Sequence, residues 1–199
     1  EGVQGAFRFI RRLWKAVYDH VGAGPAPALE RATLSATQKD LRRAAHQALA
    51  KVTDDIGRRR TFNTAVAAVM ELLNAIGKFD DRSPQGRAVA QEALEIAVIA
   101  LSPMVPHVCH ALWHELGHAE ALIDVRWPAV DTEALAQDAI TLVVQVNGKL
   151  RGQITVPVDA DEAAVRAAAL AEESVRKFVG DATPKKIVVV PRKLVNVVV

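Results

Sequence analysis

A change of period divides this sequence and constrains its fold more than any other feature. Through roughly the first two thirds, apolar residues recur every three or four positions, the spacing that lines them along one stripe of an α-helix. From Thr141 onward the chain carries short β-branched runs instead, whose successive side chains point to opposite faces of a sheet. A series of one-sided helices with short connectors must bury its stripes against one another. The expected fold is therefore an α-helical bundle followed by a small α+β domain with a mainly antiparallel four-stranded sheet.

Val3, Ala6, Phe7, Ile10, Leu13, Trp14, Val17 and Val21 form the first stripe, with Arg8, Arg12 and Lys15 opposite. That helix ends in the stretch 22–27. A second helix is expected over 38–56, from Leu41, Ala45, Ala48, Leu49, Val52 and Ile56. A third turns Phe62, Val66, Val69, Met70, Leu73 and Ile76 inward, with Gly77 as its C-terminal cap. The fourth covers 85–101 and stops at Pro103. The fifth starts on Pro106, where a missing N–H costs nothing, and runs to about residue 116.

Periodicity weakens between Trp127 and Ala139. The boundaries expected are 1–128 for the bundle, 129–139 for a linker and 140–199 for the second domain. There, 141–146 and 150–156 read as strands joined by Asn147-Gly148, a pair that tolerates the positive φ of a type I′ turn. One or two helices over 161–179 and strands at 186–190 and 194–199 complete the domain.

At 199 residues and 50% hydrophobic content the chain can bury a core. Its single cysteine, Cys109, can form no intrachain disulfide, so a cytoplasmic setting is expected. No apolar run reaches the length of a bilayer span, and no membrane partner is expected. The sequence opens on Glu1 rather than methionine, as expected of a piece of a longer polypeptide.

The net charge of +2 says little about partners, but its distribution says more. Between 141 and 157 the only charges are Lys149 and Arg151, and between 182 and 199 they are Lys185, Lys186, Arg192 and Lys193. The acids of this region fall between those stretches, in the helical part. Basic charge confined to a sheet and its turns suits an anionic backbone. In a regular hairpin Lys149 faces Val146 and Arg151 faces Val144, placing the two cations on one face about 6.6 Å apart. Gly152 beside them leaves room for a second backbone. Two basic residues beside a turn also serve merely to keep a sheet soluble. Arg58, Arg59 and Arg60 have the same double reading, as a solvated run or as weaker contacts to an anion.

His114-Glu115-Leu116-Gly117-His118 matches H-E-x-x-H, in which two histidines one turn apart bind zinc and the glutamate activates water. A zinc hydrolase is thus a rival reading. Against it, Gly117 weakens the turn that must hold both ligands, and Ala121 and Asp124 stand where the extended motif has Gly and His. A free-standing RNA-binding or assembly module is a second rival.

Phe62-Asn63-Thr64-Ala65-Val66-Ala67 with Met70-Glu71-Leu72-Leu73-Asn74 resembles the third helix of the anticodon-binding bundle of class I synthetases for leucine, isoleucine, valine and methionine. Leu101 to His107, then Leu112-Trp113, is similar to that family's helix-break-helix signature. Val144 to Gly152 and Lys186 to Asn196 resemble the C-terminal domain of bacterial leucyl-tRNA synthetases, and Gly2 to Phe9 resembles the helix that follows their catalytic core. An equivalent fragment of the valyl, isoleucyl or methionyl enzymes is the nearest alternative.

The resemblance implies that this chain supports ATP-dependent leucylation of tRNA(Leu) by binding and positioning the tRNA. Its HIGH and KMSKS motifs are absent here. Catalytic residues, metal and cofactor are accordingly expected to be none in this chain, with ATP and Mg handled by the catalytic domain of the longer enzyme. The partners implied are tRNA(Leu), gripped at its elbow by the C-terminal domain, and the remainder of the synthetase, acting as a monomer. The residues expected to touch RNA are Asn147, Gly148, Lys149 and Arg151, then Lys185, Lys186, Arg192, Lys193 and Asn196, with Arg58, Arg59 and Arg60 in the bundle.

Overall fold

The computed structural model describes residues 2–136, 139–180, 184–191 and 193–199. The chain forms two compact units, Glu1–Ala136 and Gln137–Val199.

The first unit holds α1 (Gly2–Val21), α2 (Ala36–Asp54), α3 (Phe62–Lys78), α4 (Pro84–Leu101) and α5 (Pro106–Glu115). Val89, Ala93, Leu94, Ala97, Val98 and Leu101 leave α4 apolar nearly all round, so it is the central helix and packs against the other four. Its start is fixed by Ser83, whose Oγ accepts from the Gly86 N–H at 3.1 Å, with Pro84 in the first turn. Ser35 and Gln38 form a capping box on α2. The same Gln38 amide donates to Asp81 Oδ2 at 2.7 Å and Ser83 Oγ at 3.2 Å, tying the starts of α2 and α4 together.

Two helix ends differ from expectation. The second helix gives way after Asp54 to a π-helical turn, Asp55–Arg59, which stops at Arg60 in the left-handed region, φ 55°. Gly77 does not cap α3: the helix runs through it to Lys78, because Ile76 and Phe79 pack against the core on either side and hold the backbone helical.

Residues beyond α5 stay on the bundle. Val125, Trp127 and Val130 pack against its core, and Trp127 Nε1–H donates to Thr53 Oγ1 at 2.8 Å. Arg42, 4% exposed, donates to Glu92 Oε2 at 2.8 Å and to Asp131 Oδ2 at 2.6 Å. His46 Nδ1 accepts the Asp131 N–H at 3.2 Å, which leaves its Nε2–H to donate to Glu92 Oε1 at 3.2 Å. The Arg42 guanidinium holds the Asp131 carboxyl down to about 2. Most of the stretch read as a linker is thus fastened by a buried polar network, while Gln137 and Asp138 lie outside the described residues.

The second unit runs β1 (Ala139–Val146), β2 (Lys149–Pro157), α6 (Glu162–Ala171), α7 (Glu173–Val179), β3 (Lys186–Val190) and β4 (Leu194–Val198). The strand order is β2-β1-β4-β3, antiparallel except for the parallel β1–β4 pair. Leu142, Val144, Val146, Ile154, Val156, Val195 and Val197 bury one face against Val165 and Ala169 of α6 and Val175 of α7. Leu150, Val188 and Val190 are exposed on the face turned away from α6 and α7. Among the described residues no helix is long and apolar enough to cross a membrane.

Candidate nucleic-acid interface

The Asn147-Gly148 turn has φ values of 49° and 77°, the pair of positive angles that two-residue hairpins need. It is bolted to β4. The Asn147 N–H donates to the Val197 carbonyl at 2.9 Å, the Gly148 N–H to Asn196 Oδ1 at 3.1 Å, and the Val199 N–H to Asn147 Oδ1 at 3.2 Å. Both asparagine oxygens therefore hold the turn rigid, and their amide N–H groups are what remains for a ligand.

Lys149 pairs with Val146 as expected, but Arg151 does not face Val144. A bulge lies between Val144 and Gln145 in the register, so Gln145 faces Leu150 and Val144 faces Gly152. Arg151 is the extra residue. Its guanidinium lies over the Phe178 ring of α7, 3.8 Å from the centroid. Gly152 is not a gap for an incoming backbone either. A β-carbon there would meet the carboxylate of Glu172 at 2.8 Å and Val175 at 3.3 Å, groups at the start of α7 in the same chain.

Topology sorts the remaining cations. Because β4 is parallel to β1 and antiparallel to β3, the end of β1, the start of β2, the end of β4 and the start of β3 share one end of the sheet. Lys149, beside Asn147 and Gly148, and Lys185 and Lys186, at the start of β3, all lie at that end but on opposite outer sides of the sheet, roughly 14 Å apart. All three are exposed, and none has an acidic partner among the described residues. Lys193 sits in the β3–β4 turn, at the far end of β4 by roughly 13 Å of strand. Arg192 lies outside the described residues. The sheet cations therefore stand at three places: Lys149 beside the hairpin turn, Lys185 and Lys186 at the start of β3, and Lys193 in the β3–β4 turn.

In the bundle, the arginine run is largely compensated. Arg58 grips Asp54 through two bonds of 2.6 and 3.1 Å, and Arg59 reaches Asp55 Oδ1 at 3.4 Å. Asp55 is fully buried, and its carboxyl is held below the usual range first by the Lys51 ammonium and then by Thr64. Asp54 is held down by Arg58 in the same way. Arg60 has no acidic partner among the described residues.

The two histidines of the H-E-x-x-H match do not converge. α5 ends at Glu115, and Gly117 turns the chain at φ 101°. His114 Nδ1–H donates to the His118 carbonyl at 2.7 Å, while its Nε2 faces His110 Nε2 at 3.1 Å. The His118 ring stacks on Trp113 and pairs with Glu95 Oε1 at 2.8 Å. No group of three His, Cys, Asp or Glu side chains able to hold a metal occurs among the described residues. The zinc reading is not favoured, because the glycine bends away the turn it needs.

Residues 38–166, well over half of the chain, match the family described as the anticodon-binding domain of tRNA ligase. The chain belongs to that family. Relatives of this member include the leucine–tRNA ligase of Thioalkalivibrio sulfidiphilus (strain HL-EbGR7), 61% identical over 100% of this chain and 24% of the relative. That of Halorhodospira halophila (strain DSM 244 / SL1) is 58% identical over 99% and 24%. The chain thus spans about a quarter of the length of the curated relatives it matches. A solved ternary complex, Agrobacterium radiobacter K84 agnB2 LeuRS-tRNA-LeuAMS, aligns with a TM-score of 0.74 and 26% identity over 99% of this chain and 25% of that one.

Proposed function

We propose that this chain is the part of a leucine–tRNA ligase that grips leucine tRNA, with bond formation carried out by a portion of the ligase outside it. The observation that carries the reading is that Lys149, Lys185 and Lys186, free of acidic partners among the described residues, are spread across the end of the sheet that carries the rigid Asn147-Gly148 turn. Folded RNA presents phosphates, ribose hydroxyls and unstacked loop bases as its readable features. Ammonium groups on a stiff sheet end suit the first, and the spare amide hydrogens of Asn147 and Asn196 suit the others. Lys193 and Arg192 offer a second contact, and Arg60 a third in the bundle. The relatives' names favour leucine over valine, isoleucine or methionine.

Contacts far from the reacting ends act by positioning, since a tRNA held in register keeps its acceptor end near the activated amino acid. ATP and magnesium serve that distant chemistry. No described side-chain group here fits a metal site, and no step is assigned to one. In this reading the whole ligase works as a cytoplasmic monomer.

The test is binding of transcribed leucine tRNA to the 199-residue chain carrying Lys149→Ala, Lys185→Ala and Lys186→Ala together. Affinity is expected to fall about ten-fold near physiological salt, and the slope of log K against log salt to flatten by about 2, as roughly three counterion-releasing contacts are lost. Wild-type affinity and slope in the triple variant would remove this end of the sheet from the interface.

A further inference from the structure

The turn that follows α5 is fastened by two exposed histidines that also bond to each other. Leu122 opens a single 3₁₀ turn, Leu122–Asp124, so its N–H has no acceptor within that turn. It donates instead to His110 Nδ1 at 3.3 Å, while the Leu122 side chain, 7% exposed, anchors in the bundle core. An Nδ1 that accepts puts the ring proton of a neutral His110 on Nε2. On His114 the order is reversed, because its Nδ1–H donates to the His118 carbonyl at 2.7 Å and leaves Nε2 bare. The two Nε2 atoms lie 3.1 Å apart, with the rings edge to face. His110 Nε2–H therefore donates to His114 Nε2, and the bonds run in one direction from Leu122 through both rings to His118.

Each ring carries one proton in this series, and neither has a place for another. A proton added to His114 Nε2 meets the His110 N–H head to head. Moving the His110 proton to Nδ1 relieves that clash but sets it against the Leu122 N–H, whose bond is then lost. Every cationic state of the pair thus gives up a bond that the neutral state makes. The other titratable groups around the pair are His107 and Glu115 on α5, Tyr18 of α1 opposite Glu115, and Asp124 in the turn. Glu95 of α4 and Glu120 face His118. Among the described residues none of these side chains bonds to the His110 or His114 ring, so none offers an acceptor for an added proton.

We propose that His110 and His114 form a proton-sensitive clasp that fastens the Leu122–Asp124 turn to α5, closed while both rings are neutral and released by one added proton. The clasp does not depend on RNA binding. Farther along the chain, the Arg42 network holds Asp131, whose carboxyl keeps its charge down to about 2. Mild acid therefore frees the turn locally and leaves the attachment at Asp131 in place.

Nitrogen NMR of the full 199-residue chain at neutral pH reads the tautomers directly. His110 is expected in the Nε2–H form and His114 in the Nδ1–H form; the same form on both rings overturns the clasp. Amide exchange of Leu122, corrected for the intrinsic effect of pH, is then followed from about pH 7.5 to about pH 5.5, where imidazoles change charge. Protection is expected to fall about ten-fold in the wild type, as one hydrogen bond is lost. His110→Asn puts an amide oxygen where Nδ1 accepts and removes the titrating ring, so its Leu122 protection is expected to stay constant. His118→Gln removes the imidazole facing Glu95 and Glu120 but keeps the backbone carbonyl, and is expected to show the wild-type fall. Constant protection in the wild type, an equal fall in His110→Asn, or loss of the fall in His118→Gln overturns the proposal.

Discussion

A β-carbon at position 152 would lie 2.8 Å from the Glu172 carboxylate, which caps α7 by accepting the Val175 N–H at 2.8 Å. Gly152→Ala is therefore expected to push the cap off its helix and to destabilise the second unit by about 1–3 kcal/mol, the usual cost of overpacking. Urea unfolding followed by circular dichroism measures this, and an unchanged midpoint would mean that the carboxylate swings aside freely. Arg151 makes the same point about reading residues from order alone. A period of two pairs it with Val144, but the bulge leaves it unpaired, with its guanidinium over Phe178. The one local mark of the bulge is Gly152, an isolated glycine inside a strand, whereas Asn147-Gly148 was readable because both residues tolerate positive φ.

Elements whose limits are set by local chemistry follow the sequence closely. The start of α5 at Pro106 is such a case, and the core stripe of α2, with Leu41, Ala45, Leu49 and Val52 buried, is another. Where tertiary contacts decide, local signals lose, as when α3 continues through Gly77. The segment after α5 is held by Arg42, whose two carboxylate partners come from α4 and from Asp131. Its weak periodicity hid that attachment, because a polar network leaves no apolar repeat. Arg42→Met is expected to cost roughly 3–5 kcal/mol, the penalty for breaking a buried pair and stranding its partners. The network also sets an acid limit. Asp131 titrates at about 2 and Glu92 below its ordinary value, so both bind protons more weakly folded than unfolded. Their contribution is complete above the unfolded carboxylate range near 4 and is lost as pH falls through about 2. Tryptophan fluorescence across that window is expected to show unfolding of the bundle that is less steep in Asp131→Asn, and an identical acid transition would remove Asp131 as a cause.

Across the whole molecule, division into a helical unit and an α+β unit was legible because the change of period is global and survives errors at single residues. In the full ligase, deleting 141–199 is expected to impair charging of leucine tRNA far more than leucine-dependent ATP–pyrophosphate exchange. Equal loss of both would make the second unit a folding partner of the catalytic part and not an RNA grip. The parallel β1–β4 pairing was less legible, since strand order depends on which edge receives the last strand. That pairing has a consequence for biosynthesis. β4 lies inside the sheet, between β1 and β3, although it is the last of the four to be translated. The earlier hairpin must therefore wait with a bare edge until the final strand emerges from the ribosome, and any nascent chain stalled before Leu194 leaves two unpaired edges open to misassembly.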